Sequence, residues 1–124
     1  DLPARIARRL VGEEAYLGLS AATPDELRTA QEQGACDHVG IGVVHPTATK
    51  ADAPKSLGVN GVARMAALID LPAVAIGGIT ASDLPALRAG GLAGAAVVSA
   101  ICTAEDPRSV AADLHRAWDE GGRR

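Results

Sequence analysis

Residues 72–79 are PAVAIGGI, a run of apolar residues that ends in two glycines. Strands that are apolar along their whole length, rather than alternately apolar and polar, are typical of parallel sheets covered on both faces. Three further short apolar runs occur along the chain, at residues 15–19, 38–42 and 94–98. We therefore predict four strands, the third over residues 72–76, in a parallel sheet with both faces buried.

Helical patterns separate the predicted strands. Thr23 and Glu26 form a capping box around Pro24, which predicts a helix that starts there and ends before Gly34. The other predicted helices cover residues 4–11, 58–69, 82–89 with Ser82 as the cap, and the residues from Asp106 onward.

The predicted elements alternate between helix and strand, which is typical of α/β folds with a parallel sheet. Four parallel strands alternating with helices are half of a (β/α)8 TIM barrel. A doubly wound open sheet is the alternative. It would be expected to carry a glycine-rich fingerprint after its first strand, and residues 18–23, GLSAAT, are not one.

The composition excludes some classes of partner. The 124 residues suffice for one domain, and the formal net charge is −3 with acids and bases mixed along the chain. Without a basic stripe or an aromatic stacking surface, no nucleic acid is expected as a partner. No apolar run approaches the roughly 20 residues that cross a bilayer, so no membrane is expected either.

Cys36 and Cys102 show no metal-binding spacing. We expect both to be buried, reduced thiols, which suits a cytoplasmic protein. The chain begins at Asp1 without Met, so we expect it to be truncated or processed.

Polar or glycine-rich residues follow every predicted strand at its C-terminal end. Ser20 ends the first strand, residues 47–50 (TATK) follow the second, Gly77-Gly78 follow the third, and Ser99 follows the fourth. Each alone has an ordinary explanation as a solvated loop, a tight turn or a cap. In a barrel these ends meet on one face, where hydroxyl, ammonium and backbone N–H groups together suit a phosphate.

Other kinds of catalytic site are not supported by the sequence. His38, His45 and His115 lack a metal-ligand spacing, and no Ser-His-Asp or Cys-His arrangement can be assembled. The pattern fits a reaction in which a charged leaving group departs and electrostatic stabilisation does most of the catalysis.

Four segments, in this order and spacing, resemble the thiamine phosphate synthase family. They are LGLSAAT (17–23), GACDHVGIGVVHPTATK (34–50), AVAIGGIT (73–80) and GAAVVSAICTAEDP (94–107). The resemblance implies a (β/α)8 barrel enzyme, a transferase that joins hydroxymethylpyrimidine diphosphate to thiazole phosphate and releases pyrophosphate with Mg²⁺. It also implies dissociative loss of the diphosphate before the thiazole nitrogen attacks.

The resemblance implies roles for individual residues. Ser20 and Lys50 would act in catalysis on the pyrimidine diphosphate, and Asp1 would bind Mg²⁺. The residues that would bind the thiazole phosphate are Thr47, Ala48, Thr49, Gly78, Val98 and Ser99.

Three positions depart from the family pattern, and one of them, Ala93 in place of a common aspartate before the last strand, is interpreted as structural. Val43 stands where the family usually has proline, and Ala22 stands where histidine is common. The related thiazole tautomerase relies on a histidine near the position of Ala22 and lacks the T-x-T-K segment. Ala22, together with residues 47–50, therefore favours a synthase over a tautomerase-like relative.

The match covers only the second half of the family's barrel. We expect residues 1–124 to form a single partial domain, the C-terminal half of the barrel, without the N-terminal βα units. The strand edges at residues 16–20 and 94–98 would then be unpaired, and the interior of the barrel would be uncovered. The expected partners are small phosphorylated substrates and either the missing N-terminal half or a second copy that pairs the open edges. A phosphate-binding half barrel without catalytic activity is the alternative function.

Overall fold

Four parallel strands form one sheet, and helices connect each strand to the next. The computed structural model describes residues 2–46 and 55–122. The strands are β1 (Gly18–Ala21), β2 (His38–Gly42), β3 (Ala73–Ile76) and β4 (Gly94–Ala96). The helices are α1 (Ala4–Val11), α2 (Pro24–Gln33), α3 (Gly58–Ala66), α4 (Leu84–Ala89), α5 (Ser99–Cys102) and α6 (Pro107–Gly121), with a 3-10 turn at Ala81–Asp83. The prediction of an α/β fold with four parallel strands is confirmed.

The strands lie side by side in the order β1-β2-β3-β4. Gly42 at the end of β2 pairs with Ile76 at the end of β3, and Ile76 pairs with Ala96 at the end of β4. The carboxyl ends of the strands therefore lie at one edge of the sheet. Among the described residues, β1 and β4 are the outer strands, as the wall of a half barrel requires.

One face of the sheet is buried under the helices and forms the hydrophobic core. Side chains from β2 and from helices α2, α3 and α4 interdigitate there. The largest side chains without exposed surface are Leu27, Val39, Ile41, Val44, Val62 and Leu87. Because full burial of such a side chain stabilises the fold by roughly 1.5–3 kcal/mol, this face supplies most of the stability.

The opposite face of the sheet is open, so the prediction that both faces are buried is wrong for the residues that the structure describes. Ile76 is 42% exposed, Val98 is 69% exposed, and Ser20 is also exposed. Glycine and alanine occupy most of the other positions on this face, among them Gly40 and Ala96. Small residues keep a strand apolar whether or not anything covers it, so composition could not tell the two faces apart.

The first strand begins at Gly18, later than the predicted start at Ala15. The Arg8 guanidinium donates to the Ala15 carbonyl at 2.7 Å, and the Leu17 N–H donates to the Asp37 carboxylate at 2.8 Å. These side chains bind backbone groups that a longer strand would use in the sheet. The strand consequently starts only beyond them.

Local signals predict the helix α2 correctly. The Glu26 N–H donates to Thr23 Oγ1 at 3.2 Å, as the capping box requires, and Gly34 ends the helix at φ 62°. By contrast, α3 ends at Ala66 rather than at Ile69, because the chain there tightens into turns of the 3-10 type. None of the helices in the two described ranges is long and apolar enough to cross a membrane.

The cap of the segment that leads into α4 is Thr80, not Ser82 as predicted. The Thr80 N–H donates to Asp83 Oδ2 at 2.9 Å, and this capping box begins the 3-10 turn before the α-helix. Ser82 lies within that turn, where its hydroxyl contacts Thr80 Oγ1 at 3.0 Å. The helix therefore begins two residues after the predicted cap.

The two cysteines differ in their environments. Cys36 is buried as predicted, and burial raises the pKa of its thiol. Cys102 is exposed, which corrects the prediction for that residue. It ends the short helix α5, which the sequence did not predict.

Candidate active site

Gly77 and Gly78 form the turn that follows β3 at the carboxyl edge of the sheet. Their φ angles are 97° and 68°, in the left-handed region that favours glycine. A Cβ atom on Gly78 would lie 2.7 Å from the His45 carbonyl oxygen, and one on Gly77 would lie 2.6 Å from Val43 Cβ. Glycine is therefore required at both positions by conformation and by the close approach of the chain that leaves β2.

Backbone hydrogen bonds hold the chain that leaves β2 against this turn. The N–H of Val44 and that of the next residue both donate to the Gly77 carbonyl at 3.1 Å. The N–H groups of Leu57 and Gly58 donate, both at 2.8 Å, to the carbonyls of Val43 and Val44. The chain thus leaves and returns at the same point of the carboxyl edge.

A side-chain hydrogen bond joins the loops after β2 and β3. His45 Nε2 lies 2.9 Å from Asp83 Oδ1, and Asp83 Oδ2 accepts the Thr80 N–H. Burial opposes ionisation of Asp83, but the hydrogen bonds from His45 and Thr80 outweigh it and hold the pKa of that carboxyl below its ordinary value. Asp83 is therefore a carboxylate at neutral pH. The sequence does not predict this pair, because its members are 38 positions apart.

Val98 and Ser99 lie just beyond the end of β4, beside the turn after β3. Ile76 pairs with Ala96, and Gly78 and Val98 each follow two positions after these paired residues. Gly78 and Val98 are therefore expected at the same height along the two strands. Val98 is strongly exposed, and Ser99 is the first residue of α5. Three of the predicted site residues, Gly78, Val98 and Ser99, are thus placed at neighbouring strand ends.

Ser20 lies deeper in the sheet and on the far side of β2. It pairs with Gly40, which in turn pairs with Val74 of β3. Two strand spacings, about 10 Å, separate β1 from β3. Ser20 therefore lines the open face at a distance from the turn at Gly77-Gly78.

The other predicted site residues lie outside the described residues. These are Asp1, Thr47, Ala48, Thr49 and Lys50. The segment from 47 to 50 follows His45 and Pro46 directly in the sequence.

Comparison with known families identifies the chain. The family model described as thiamine monophosphate synthase matches residues 1–101. The chain belongs to this family.

Thiamine-phosphate synthases of known sequence match almost the whole chain. The protein from Salinispora tropica is 43% identical over 117 residues, which are 94% of this chain and 56% of that protein. The protein from Lactococcus lactis subsp. cremoris is 44% identical over 115 residues, which are 93% of this chain and 52% of that protein. The chain spans about half the length of the curated relatives it matches.

A solved structure supports the barrel interpretation of the sheet. Thiamine phosphate pyrophosphorylase from Pyrococcus furiosus superposes with a TM-score of 0.84 at 29% identity, over 98% of this chain and 56% of that chain. The resemblance to the thiamine phosphate synthase family is confirmed. The sequential strand order also speaks against the doubly wound alternative, in which the order reverses.

The resemblance to the thiamine monophosphate synthase family implies Mg²⁺, which needs several ligand side chains close together. Within residues 2–46 and 55–122, no three His, Cys, Asp or Glu side chains lie close enough together to hold a metal ion. Asp1, the predicted ligand, is not among these residues. The described part of the chain therefore supplies no complete set of Mg²⁺ ligands.

Proposed function

We propose that this chain supplies one half of the active site of a thiamine phosphate synthase, which joins hydroxymethylpyrimidine diphosphate to thiazole phosphate and releases pyrophosphate. The observation that carries the proposal is the turn at Gly77-Gly78, held against the end of β2 by backbone hydrogen bonds. Backbone N–H groups in such turns form concavities that bind anions. The family to which the chain belongs supports the choice of substrates.

In this proposal the thiazole phosphate binds at the ends of β2, β3 and β4. Backbone N–H groups and hydroxyls suit phosphate oxygens, because each donates a hydrogen bond in a fixed direction. The residues assigned to this substrate are Thr47, Ala48, Thr49, Gly78, Val98 and Ser99.

Ser20 and Lys50 act on the pyrimidine diphosphate. The fixed positive charge of Lys50 stabilises the negative charge that develops as pyrophosphate leaves, and Ser20 donates a hydrogen bond to the same group. Ser20 lies on β1, about 10 Å from β3, which leaves room between the two phosphate groups for the reacting rings. The reaction needs no general base, because the thiazole nitrogen carries no proton when it attacks the pyrimidine cation.

Mg²⁺, when bound, supplies further positive charge to the departing diphosphate. Asp1 is the ligand that this chain offers. Since the described residues hold no cluster of three ligands, the other ligands lie elsewhere. We assign no step to the metal.

The open face of the sheet requires a partner. Ile76 and Val98 are 42% and 69% exposed, and β1 and β4 are outer strands among the described residues. We propose that residues 1–124 are a single partial domain, the second half of a barrel, and that further βα units cover this face, since the relatives are almost twice as long. A second copy that pairs the outer strands is the alternative occupant. The free thiols Cys36 and Cys102 suit a cytoplasmic location.

Phosphate binding without catalysis is the second candidate function. The turn at Gly77-Gly78 and the end of β4 belong to this chain, so phosphate could bind with the open face uncovered. A tautomerase-like activity is less well supported, because Ala22 stands in place of a histidine and its N–H contacts Glu26 Oε1 as part of the helix cap.

One experiment separates these functions. The melting temperature of the chain is measured with increasing thiazole phosphate, and thiamine phosphate is then assayed after adding the first half of the Salinispora tropica relative. We expect a melting shift that corresponds to about 2.7 kcal/mol when the ligand concentration is 100 times its Kd. We expect product only when both halves are present.

The possible outcomes lead to different conclusions. No melting shift at millimolar thiazole phosphate contradicts the phosphate site. A shift without product in the complemented mixture favours the binding function. Size-exclusion chromatography of the chain alone, at micromolar concentration, tests the second copy, and a monomer eliminates it.

A further inference from the structure

The hydrogen bond between His45 and Asp83 has no part in the phosphate contacts described above. We propose that His45 is a positioning residue, which acts through Asp83 to hold the turn at Gly77-Gly78 in its phosphate-binding conformation. This inference rests on the proposed function of that turn. His45 is close in sequence to residues 47–50, which are assigned to the substrates, but its side chain makes no proposed contact with either substrate.

Asp83 is a fixed anchor. Its side chain is 12% exposed, and its Oδ2 accepts both the N–H of Thr80, at 2.9 Å, and the hydroxyl of Thr80, at 3.2 Å. The helix that follows is held in the core by Leu84 and Leu87, which are 3% and 0% exposed. The position of Asp83 is thus set by its own loop and helix, independently of His45.

His45 is the partner that gains its position from the pair. Its side chain is 43% exposed, and its Nε2 lies 2.9 Å from Asp83 Oδ1. Its backbone lies against the turn, with its N–H donating to the Gly77 carbonyl and its own carbonyl 2.7 Å from where a Cβ of Gly78 would be. A movement of His45 would therefore either shift the glycine turn with it or break the contacts between His45 and that turn.

The side-chain pair adds to the backbone restraints on this segment. A hydrogen bond to an ionised group is roughly twice as strong as one between neutral groups, and the backbone bonds to Gly77, at 3.1 Å, are neutral. Two successive glycines with positive φ have no side chains that would restrict them to this conformation. A turn released from His45 would have to be ordered by the phosphate itself, which lowers affinity.

The test measures the affinity of the chain for thiazole phosphate by calorimetry. His45→Ala is expected to weaken binding about fivefold, the size of coupling usual for residues in contact. His45→Gln keeps an N–H donor at similar reach and is expected to restore affinity to within about twofold of wild type. In a double-mutant cycle, His45→Ala in an Asp83→Ala background is expected to have little further effect on affinity.

Asp119→Ala is the matched control. It removes another side-chain contact of an aspartate, the ion pair between Arg88 Nη1 and Asp119 Oδ1 at 3.2 Å, which joins α4 to α6 away from the turn. We expect it to lower the melting temperature and leave the affinity unchanged. Wild-type affinity in His45→Ala, or a His45→Gln variant as weak as His45→Ala, overturns the inference.

A second measurement separates this inference from the proposed function. Hydrogen exchange of the Val44 amide, which donates to the Gly77 carbonyl, is followed without any ligand. Faster exchange in His45→Ala supports the positioning role, even if the wild-type chain binds no thiazole phosphate and the proposed function fails. An unchanged exchange rate overturns the positioning role, even if the wild-type chain binds the ligand.

Discussion

Arg8 in helix α1 is bound to Asp37 at the start of β2, with Nη2 donating to Oδ2 at 2.8 Å. The same guanidinium donates to the carbonyls of Ala35, Gly12 and Ala15, at 2.8, 3.0 and 2.7 Å. One side chain thereby joins the first helix, the loop before β1 and the segment before β2. These contacts lie at the edge of the sheet opposite the candidate active site, so their role is in stability.

Replacing Arg8 by methionine is expected to lower the free energy of unfolding by roughly 2–3 kcal/mol, because several partly buried acceptors lose their donor. Urea denaturation measures the change. Arg28→Met is the control, since Arg28 and Asp25 form an exposed pair at 3.4 Å whose loss costs no more than about 1 kcal/mol. Equal destabilisation by the two substitutions would contradict the role of Arg8.

Stability is expected to fall in acid because two carboxyl groups have lowered pKa values. Hydrogen bonds from the Leu17 N–H and from Arg8 lower the pKa of Asp37, and the bonds described above lower that of Asp83. A group whose pKa is lower in the folded state contributes stability above its ordinary pKa, here 3.8, and loses it as the pH falls through the folded value.

The urea midpoint, measured at a series of pH values, checks this expectation. The midpoint should be constant above the ordinary carboxyl pKa and decline below it, and Asp37→Asn should make the decline less steep. Asp25→Asn, on the exposed face of α2, is the control. A decline of the same slope in both variants would argue against Asp37 as its source.

Gly78→Ala tests the turn after β3. Alanine at φ 68°, with its Cβ 2.7 Å from the His45 carbonyl oxygen, is expected to destabilise the chain by roughly 2 kcal/mol and to abolish thiazole phosphate binding. Gly91→Ala is the control, because Gly91 has φ 95° and no atom within 4 Å of an added Cβ. It should cost about 1 kcal/mol of stability and leave binding intact. Retained binding in Gly78→Ala would remove this turn from the phosphate site.

Lys50→Ala tests the proposed electrostatic role in the complemented enzyme. We expect thiamine phosphate formation to fall at least about 100-fold, as for other groups that stabilise developing charge, with unfolding unchanged within about 0.5 kcal/mol. The activity assay and urea denaturation together check this. Lys55→Ala removes an exposed lysine five positions further along the chain and should have little effect on turnover. Turnover near wild type in Lys50→Ala would refute the diphosphate role.

Elements that depend on local signals were predictable from the sequence. The helix α2 has its cap, first-turn proline and terminal glycine within one short segment, and the strand His38–Gly42 is an isolated apolar run. The start of β1 was not predictable, because Arg8 and Asp37 determine it from distant positions. The apolar strands alone wrongly predict two covered faces, because alanine and glycine look the same in a sequence whether they are covered or not; only the resemblance to half of a barrel predicts the open face.

The candidate site also contains one feature that local sequence predicts and others that depend on distant contacts. The glycine turn after β3 has a local signature, since two glycines follow an apolar run. The contact of His45 with Asp83 depends on how two neighbouring loops pack, and neither residue has a neighbour in sequence that signals it. The sequence predicts Ser20 at a strand end, whereas Ser20 pairs with Gly40, two residues before the end of β2 at Gly42.

The alternation of buried and open positions along β2 and β3 separates two kinds of evolutionary constraint. Val39, Ile41 and Ala75 point into the helix-covered core, whereas Gly40 and Ile76 line the open face. Substitutions at the first set change how well the chain folds, whereas substitutions at the second change the surface that we propose for a ligand or a partner. The open face can therefore be altered at every second strand residue without loss of the core.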